Sequence, residues 1–230
     1  MATISKATVV KINNYGDDVR EYIFKLDKYH FFDPGTFVQL ALDEPKNNRW
    51  PESRNFSVAS YLNDEQTIRL VIRRIGAFTN RIFSELNVGV ACYMKYSFGD
   101  FLLPFFDNQC PIICIAGGTG IAPFISFVEY LTKEGDISRL HLYYSAKNRK
   151  ELICLDELKR LVPSQNLHIH LTREEIAEHA HGRLTAKQLL SQFGGDSTAN
   201  YYICGGEEFT QQFKSVLAQN GAINIHTDEW

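Results

Sequence analysis

The stretch Cys114-Ile115-Ala116-Gly117-Gly118-Thr119-Gly120-Ile121-Ala122-Pro123 permits few folds. Ile112 to Ala116 is a short, wholly apolar run, as in a strand buried on both faces of a parallel sheet. Gly117, Gly118 and Gly120 follow, with Thr119 among them. Pro123 then opens a helix, where its missing N–H costs little. Phe124, Phe127, Val128 and Leu131 fall at i, i+3, i+4 and i+7, an apolar stripe that faces a sheet. Glycine lets a ligand approach the backbone, and the helix N-terminus behind it favours a phosphate. A tight strand-to-helix turn without a ligand is the alternative reading. The spacing is not G-x-G-x-x-G, which needs glycine at Pro123. Nor does an acid for ribose hydroxyls follow about 20 positions on. That region reads Tyr143-Tyr144-Ser145-Ala146-Lys147-Asn148-Arg149-Lys150.

Composition narrows the class. The 230 residues suit one large domain or two small ones, and a formal net charge of -3 leaves no nucleic-acid footprint. No apolar run approaches the ~18 residues that span a bilayer. Met1 to Lys6 lacks the apolar core of a signal peptide, so no membrane partner is expected. Cys92, Cys110, Cys114, Cys154 and Cys204 form no C-x-x-C pair and no zinc spacing, and this scattered set fits a reducing cytoplasm. The iron–sulfur spacing of plant-type ferredoxins is also absent.

The first hundred residues read as β. Candidate strands lie at 4–12, 19–26, 36–42, 54–60, 67–74 and 90–98, with Ile82, Phe83 and Leu86 in a short helix between the last two. Six short antiparallel strands with turn signals between them predict a small closed barrel. After Phe105 strands alternate with helical patterns: strands at 112–116, 140–144, 167–171, 201–204 and 223–226, and helices near 123–134, 151–161, 185–192 and 207–219. That rhythm predicts a doubly wound α/β domain with a five-stranded parallel sheet. The expected organisation is a β-barrel domain over residues 1–105 and an α/β domain over 106–230.

Four stretches then resemble one family, the ferredoxin–NADP reductase superfamily of flavoproteins, over essentially the whole chain. Arg54-Asn55-Phe56-Ser57 looks like the family's R-x-Y-S motif, with phenylalanine where tyrosine is usual. Gly76-Ala77-Phe78-Thr79 is similar to its G-x-x-S/T loop, with Arg73 just upstream. Gly117-Gly118-Thr119-Gly120-Ile121-Ala122-Pro123 matches G-G-T-G-I-A-P. Tyr202-Ile203-Cys204-Gly205-Gly206 is similar to the C-G-P motif, with Gly206 in place of proline, a change expected to loosen the turn.

The resemblance implies the chemistry. Arg54, Arg73 and the Gly76–Thr79 loop would hold FAD phosphates, Phe56 would lie against the flavin ring, and Ser57 would reach its N5. Gly117 to Gly120 and Gly205 would receive the pyridine nucleotide, with Cys204 near the reactive carbon of nicotinamide. Thr172-Arg173, similar to the family's S-R pair, and Lys147, Arg149 and Lys150 favour NADPH, with NADH also possible. The rings would meet between the domains, and Trp230 would cover the flavin face, with Asp228 or Glu229 as a nearby acid. Ser57, Cys204 and Trp230 are therefore the expected catalytic residues. The implied reaction is hydride transfer from NADPH to FAD, then single electrons to a separate acceptor, ferredoxin or flavodoxin first. Free flavin or an oxygenase component is the alternative. Arg69, Arg73, Arg74, Arg81 and Lys95 are candidates for a basic rim that meets an acidic partner. A monomer is expected. His168 and His170, which share a strand face, leave open a metal-binding reading, and a non-enzymatic nucleotide module would need only the glycine turn.

Overall fold

A computed structural model describes residues 2–47, 49–104 and 110–229. It divides the chain into two compact units, Met1–Leu103 and Pro104–Trp230. Phe105 to Asn108, at the expected domain boundary, lie outside the described residues.

The first unit is an antiparallel sheet of β1 (Thr3–Tyr15), β2 (Val19–Leu26), β3 (Phe37–Ala41), β4 (Ser53–Ser57), β5 (Thr67–Arg73) and β6 (Ala91–Phe98), in the order β4-β3-β6-β1-β2-β5. The two edge strands then meet. Val58, just past β4, bridges Leu70 of β5, and the Ala59 N–H donates to the Arg69 carbonyl at 2.8 Å. The sheet therefore closes on itself and leaves no long free edge. Alternate residues of its strands point inward: Ala7 and Val9, Tyr22 and Phe24, Val38 and Leu40, Ile68, Leu70 and Ile72, Cys92, Met94 and Tyr96. Helix α1 (Ala77–Glu85) adds Phe78 and Ile82 to that core. It begins five residues before the apolar pattern at Ile82 predicts, because Thr79 closes its N-terminus locally.

The second unit contains β7 (Ile112–Gly117), α2 (Ala122–Glu134), β8 (Leu140–Ala146), α3 (Leu155–Leu161), β9 (Leu167–Leu171), β10 (Ala180–His181), α4 (Ala186–Phe193), β11 (Asn200–Gly205), α5 (Glu207–Gln219) and β12 (Asn224–Glu229). All pairings are parallel, in the order β10-β9-β8-β7-β11-β12. Five of these strands answer the sequence pattern; the sixth is the two-residue β10, within what reads as the His179-Ala180-His181 loop. On one face Phe127 of α2 packs edge-on to Tyr202. On the other, Ile113, Ile115, Tyr201 and Ile203 pack with Leu189 of α4 and Phe213 and Leu217 of α5. From β7 the chain builds outward to β8 and β9, then crosses to β11 and β12. The carboxyl ends of β7 and β11 thus flank the point where strand order reverses, the usual ligand crevice of such sheets.

Candidate functional site

Each unit carries candidate site residues of its own. In the first, β4 pairs with β3 in the register Phe56–Val38 and Ser57–Phe37. Phe56 and Ser57 are buried, whereas Arg54 and Asn55 are exposed. The Arg54 guanidinium lies 5.1 Å from the ring centre of Phe78 and 3.1 Å from Glu52, in a pair that is more than half exposed. Arg54 therefore stands over the first turn of α1. The positive helix end and the guanidinium together favour an anion. At Gly76 an added Cβ would meet no atom within 4 Å, so the approach to the helix start is open. Thr79 has a different task from the one expected. Its hydroxyl accepts from the N–H groups of Ile75 (2.9 Å) and Gly76 (3.0 Å) and donates to the Gly76 carbonyl, so it shapes the loop. Ala77 is exposed beside it.

The candidate basic rim is largely neutralised within the unit. Arg69 pairs with buried Glu21 at 3.4 Å, Arg73 with Asp18 at 2.9 Å, and Arg81 with Glu85 at 2.8 Å and Asp43 at 3.4 Å. Arg74 lies over the Phe83 ring, and Lys95 over Phe98. Arg54 thus keeps an open side that Arg69 and Arg81 lack, a difference that spacing along a strand does not reveal.

In the second unit the glycine turn is dictated by contact. Gly118 has φ +58, in the left-handed region, and the turn Gly118–Ile121 runs directly into α2. A Cβ on Gly120 would lie 2.1 Å from the Cys204 carbonyl oxygen. One on Gly205 would lie 2.8 Å from the Phe209 ring, with the Gly117 Cα at 3.4 Å. The Gly117–Gly120 turn and the Cys204-Gly205 end of β11 are thus pressed together at the switch point, and only glycine permits it. Thr119, between the glycines, is half-buried.

Cys204 is fully buried, and its Sγ donates to Asp228 Oδ2 at 3.8 Å across the β11–β12 register. Burial first, and the Asp228 carboxylate second, push its thiol well above the usual range. It is a neutral thiol at neutral pH, a small apolar surface rather than a nucleophile. Asp228 belongs to β12 itself, not to a tail beyond it. Trp230 lies outside the described residues.

The β8 and β9 ends continue together past the sheet. The Thr172 N–H donates to the Ala146 carbonyl at 3.0 Å, and the Arg173 N–H to the Lys147 carbonyl at 2.8 Å. Arg173 is exposed. It comes beside Lys147, which pairs with Glu151 at 3.8 Å. The histidines are spent on packing: His168 stacks on Tyr143 at 4.3 Å, His170 is buried, and the described residues hold no group of three or more His, Cys, Asp or Glu able to bind a metal ion.

Residues 114–215, from the glycine turn through most of the second unit, match the family model described as the oxidoreductase NAD-binding domain. The whole-chain architecture matches the FAD/NAD-binding domain of nitric oxide dioxygenase from Vibrio cholerae O1 biovar El Tor. The TM-score is 0.84 at 18% identity, over 98% of each chain. It also matches a ferredoxin NADP+ reductase from Neisseria gonorrhoeae solved with bound FAD and NADP. There the TM-score is 0.81 at 19% identity, over 99% of this chain and 98% of the other. The chain thus has the fold of these two proteins, and residues 114–215 of it match an oxidoreductase NAD-binding domain. Among curated relatives, the ferredoxin–NAD(P)+ reductase component of the naphthalene 1,2-dioxygenase system of Pseudomonas putida is 26% identical over 235 residues, 98% of this chain and 68% of that protein. Methane monooxygenase component C of Methylosinus trichosporium is 33% identical over 135 residues, 58% of this chain and 38% of that one. The described residues include no helix long and apolar enough to cross a membrane.

Proposed function

We propose that the chain is the reductase of a short electron-transfer system, taking a hydride from NADPH and passing single electrons to a separate ferredoxin that serves an oxygenase. The names of two relatives that match 98% and 99% of the chain, both reductase components of naphthalene dioxygenase systems, carry the choice of acceptor. FAD, when bound, supplies the conversion between two-electron hydride chemistry and one-electron release.

The chain's residues bind and align. Arg54 and the first turn of α1 hold the FAD phosphates, where a guanidinium and a helix N-terminus coincide. Phe56 gives the flavin ring an apolar wall, without the hydroxyl a tyrosine would bring, and Ser57 provides a hydroxyl beside it. The Gly117–Gly120 turn, with no Cβ between it and Cys204-Gly205, accommodates the nucleotide pyrophosphate at the start of α2. Cys204, a buried neutral thiol bonded to Asp228, backs the strand end at the nicotinamide and neither takes nor gives a proton. Arg173 and Arg149 supply charge for a 2′-phosphate. The protein acts as a monomer in this reading, and five cysteines outside any disulfide suit a reducing compartment.

The test is a steady-state comparison of ferredoxin and free FMN as acceptors with NADPH, at low and high salt. Ferredoxin should be preferred, with rates that fall as salt rises. A salt-independent preference for free FMN contradicts the assignment.

A further inference from the structure

The two strand ends assigned to the nucleotide's 2′ group already hold an anion of their own. The Arg149 N–H donates to Glu174 Oε2 at 2.6 Å, a charge-assisted bond across the β8–β9 strip. Its neighbours fix Glu174 there. The Arg173 N–H is tied to Lys147, His181 Nδ1 lies 3.1 Å from the Glu174 carbonyl, and the Gly182 N–H donates to Leu171 at 2.9 Å. The short β10 thus clamps the segment that carries Glu174. The two strand ends that the Arg149–Glu174 bond ties together also carry Lys147, Lys150 and Arg173, of which Lys147 is paired with Glu151.

We infer that Glu174 is a specificity-determining residue: its carboxylate occupies the Arg149 backbone N–H, where the β8 and β9 ends meet, and competes with a 2′-phosphate for it. The inference rests on the assignment of these strand ends to the nucleotide's adenosine half. A ribose 2′-hydroxyl is a donor, which a carboxylate accepts. A 2′-phosphate carries between one and two negative charges near neutrality and is repelled by Glu174. To bind there, it must displace Glu174 from the Arg149 N–H and take over that donor. Glu174 therefore narrows the difference between NADPH and NADH without abolishing binding of either. The sequence places this acid after β9, not at the end of β8, and the fold brings it back across to β8.

The test uses adenosine fragments, so that flavin and turnover do not enter. The affinities of 2′,5′-ADP and 5′-AMP are measured by calorimetry at low salt on the intact holoprotein and on E174Q. Gln keeps an oxygen for the Arg149 N–H and removes the charge. E174Q should bind 2′,5′-ADP about threefold to fivefold tighter, as expected for removing one exposed like charge. Affinity for 5′-AMP and the melting temperature should stay at the wild-type values, and the gain should shrink at high salt. An unchanged ratio of the two affinities overturns the inference and leaves Glu174 a structural clasp. A wild-type protein that binds 2′,5′-ADP no better than 5′-AMP contradicts the NADPH preference instead, and the change on going to E174Q still decides the role of Glu174.

Discussion

At the scale of single residues, two glycines in adjacent motifs behave as opposites. Gly120 has no room for a side chain, since its Cβ would lie 2.1 Å from the Cys204 carbonyl. Backbone is the obstacle, so nothing swings aside. Gly120→Ala should cost about 1–3 kcal/mol as an overpacking change and weaken nucleotide binding more than tenfold. Gly206 has φ -64 and no atom within 4 Å of an added Cβ. That φ is the value proline imposes, so the expected loosening at Gly206 is not what the backbone shows. Gly206→Pro should therefore leave binding intact and raise stability by about 0.4–1 kcal/mol through the unfolded chain. Denaturant titrations of both variants check the pair; equal effects would contradict the contact argument. The sequence marks both positions only as glycine in a recognisable motif. Which one bears a close contact depends on β11, some 85 residues from the turn in the chain.

Among the elements, legibility followed periodicity. β9 and α5 lie where their apolar patterns put them. The 151–161 helix was over-read: the chain makes one tight turn at Arg149–Glu151, breaks at Cys154 with φ +53, and only then starts α3. The break follows from bonds invisible in sequence, the Asn148 carboxamide accepting from Glu151 and the Tyr144 hydroxyl accepting from the Ile153 N–H. β10 has two residues and hence no period to detect. The α4 side of β8 and β9 carries a row of imidazoles. Burial lowers the pKa of His141, His168 and His170, with His168 lowering its two neighbours further. These side chains are neutral in the fold and protonate more readily once unfolded, near pH 6.5. The unfolded state then binds more protons, so stability is complete above about pH 6.5 and falls as pH drops below it. Tyr143 and Phe193, the rings packed on this row, bring no carboxylate that would hold the charged form. Melting temperatures from pH 7.5 down to 5.5 should fall, and less steeply in His168→Gln. Parallel slopes in the two proteins would rule the row out as the cause.

For the whole molecule, four short motifs in order carry the superfamily resemblance, and the two units supply what those motifs need: a closed barrel with Arg54 over a helix start, and a parallel sheet whose reversal lies at the glycine turn. What stayed hidden was charge. Basic residues counted along the barrel strands suggested a rim for an acidic partner, yet Arg69, Arg73 and Arg81 have internal carboxylates. Glu174, next to Arg173 in the chain, reaches back to β8. Ion pairing is set by distance in space, and a count along the chain cannot supply it. The central claim, that this chain moves reducing equivalents from a pyridine nucleotide to FAD, meets its most direct test in an anaerobic titration of the purified, FAD-loaded protein with NADPH, followed at the flavin's visible absorbance band. Stoichiometric bleaching that molecular oxygen reverses is the predicted result. A protein that takes up no FAD, or a bound flavin that neither NADPH nor NADH bleaches, would contradict it.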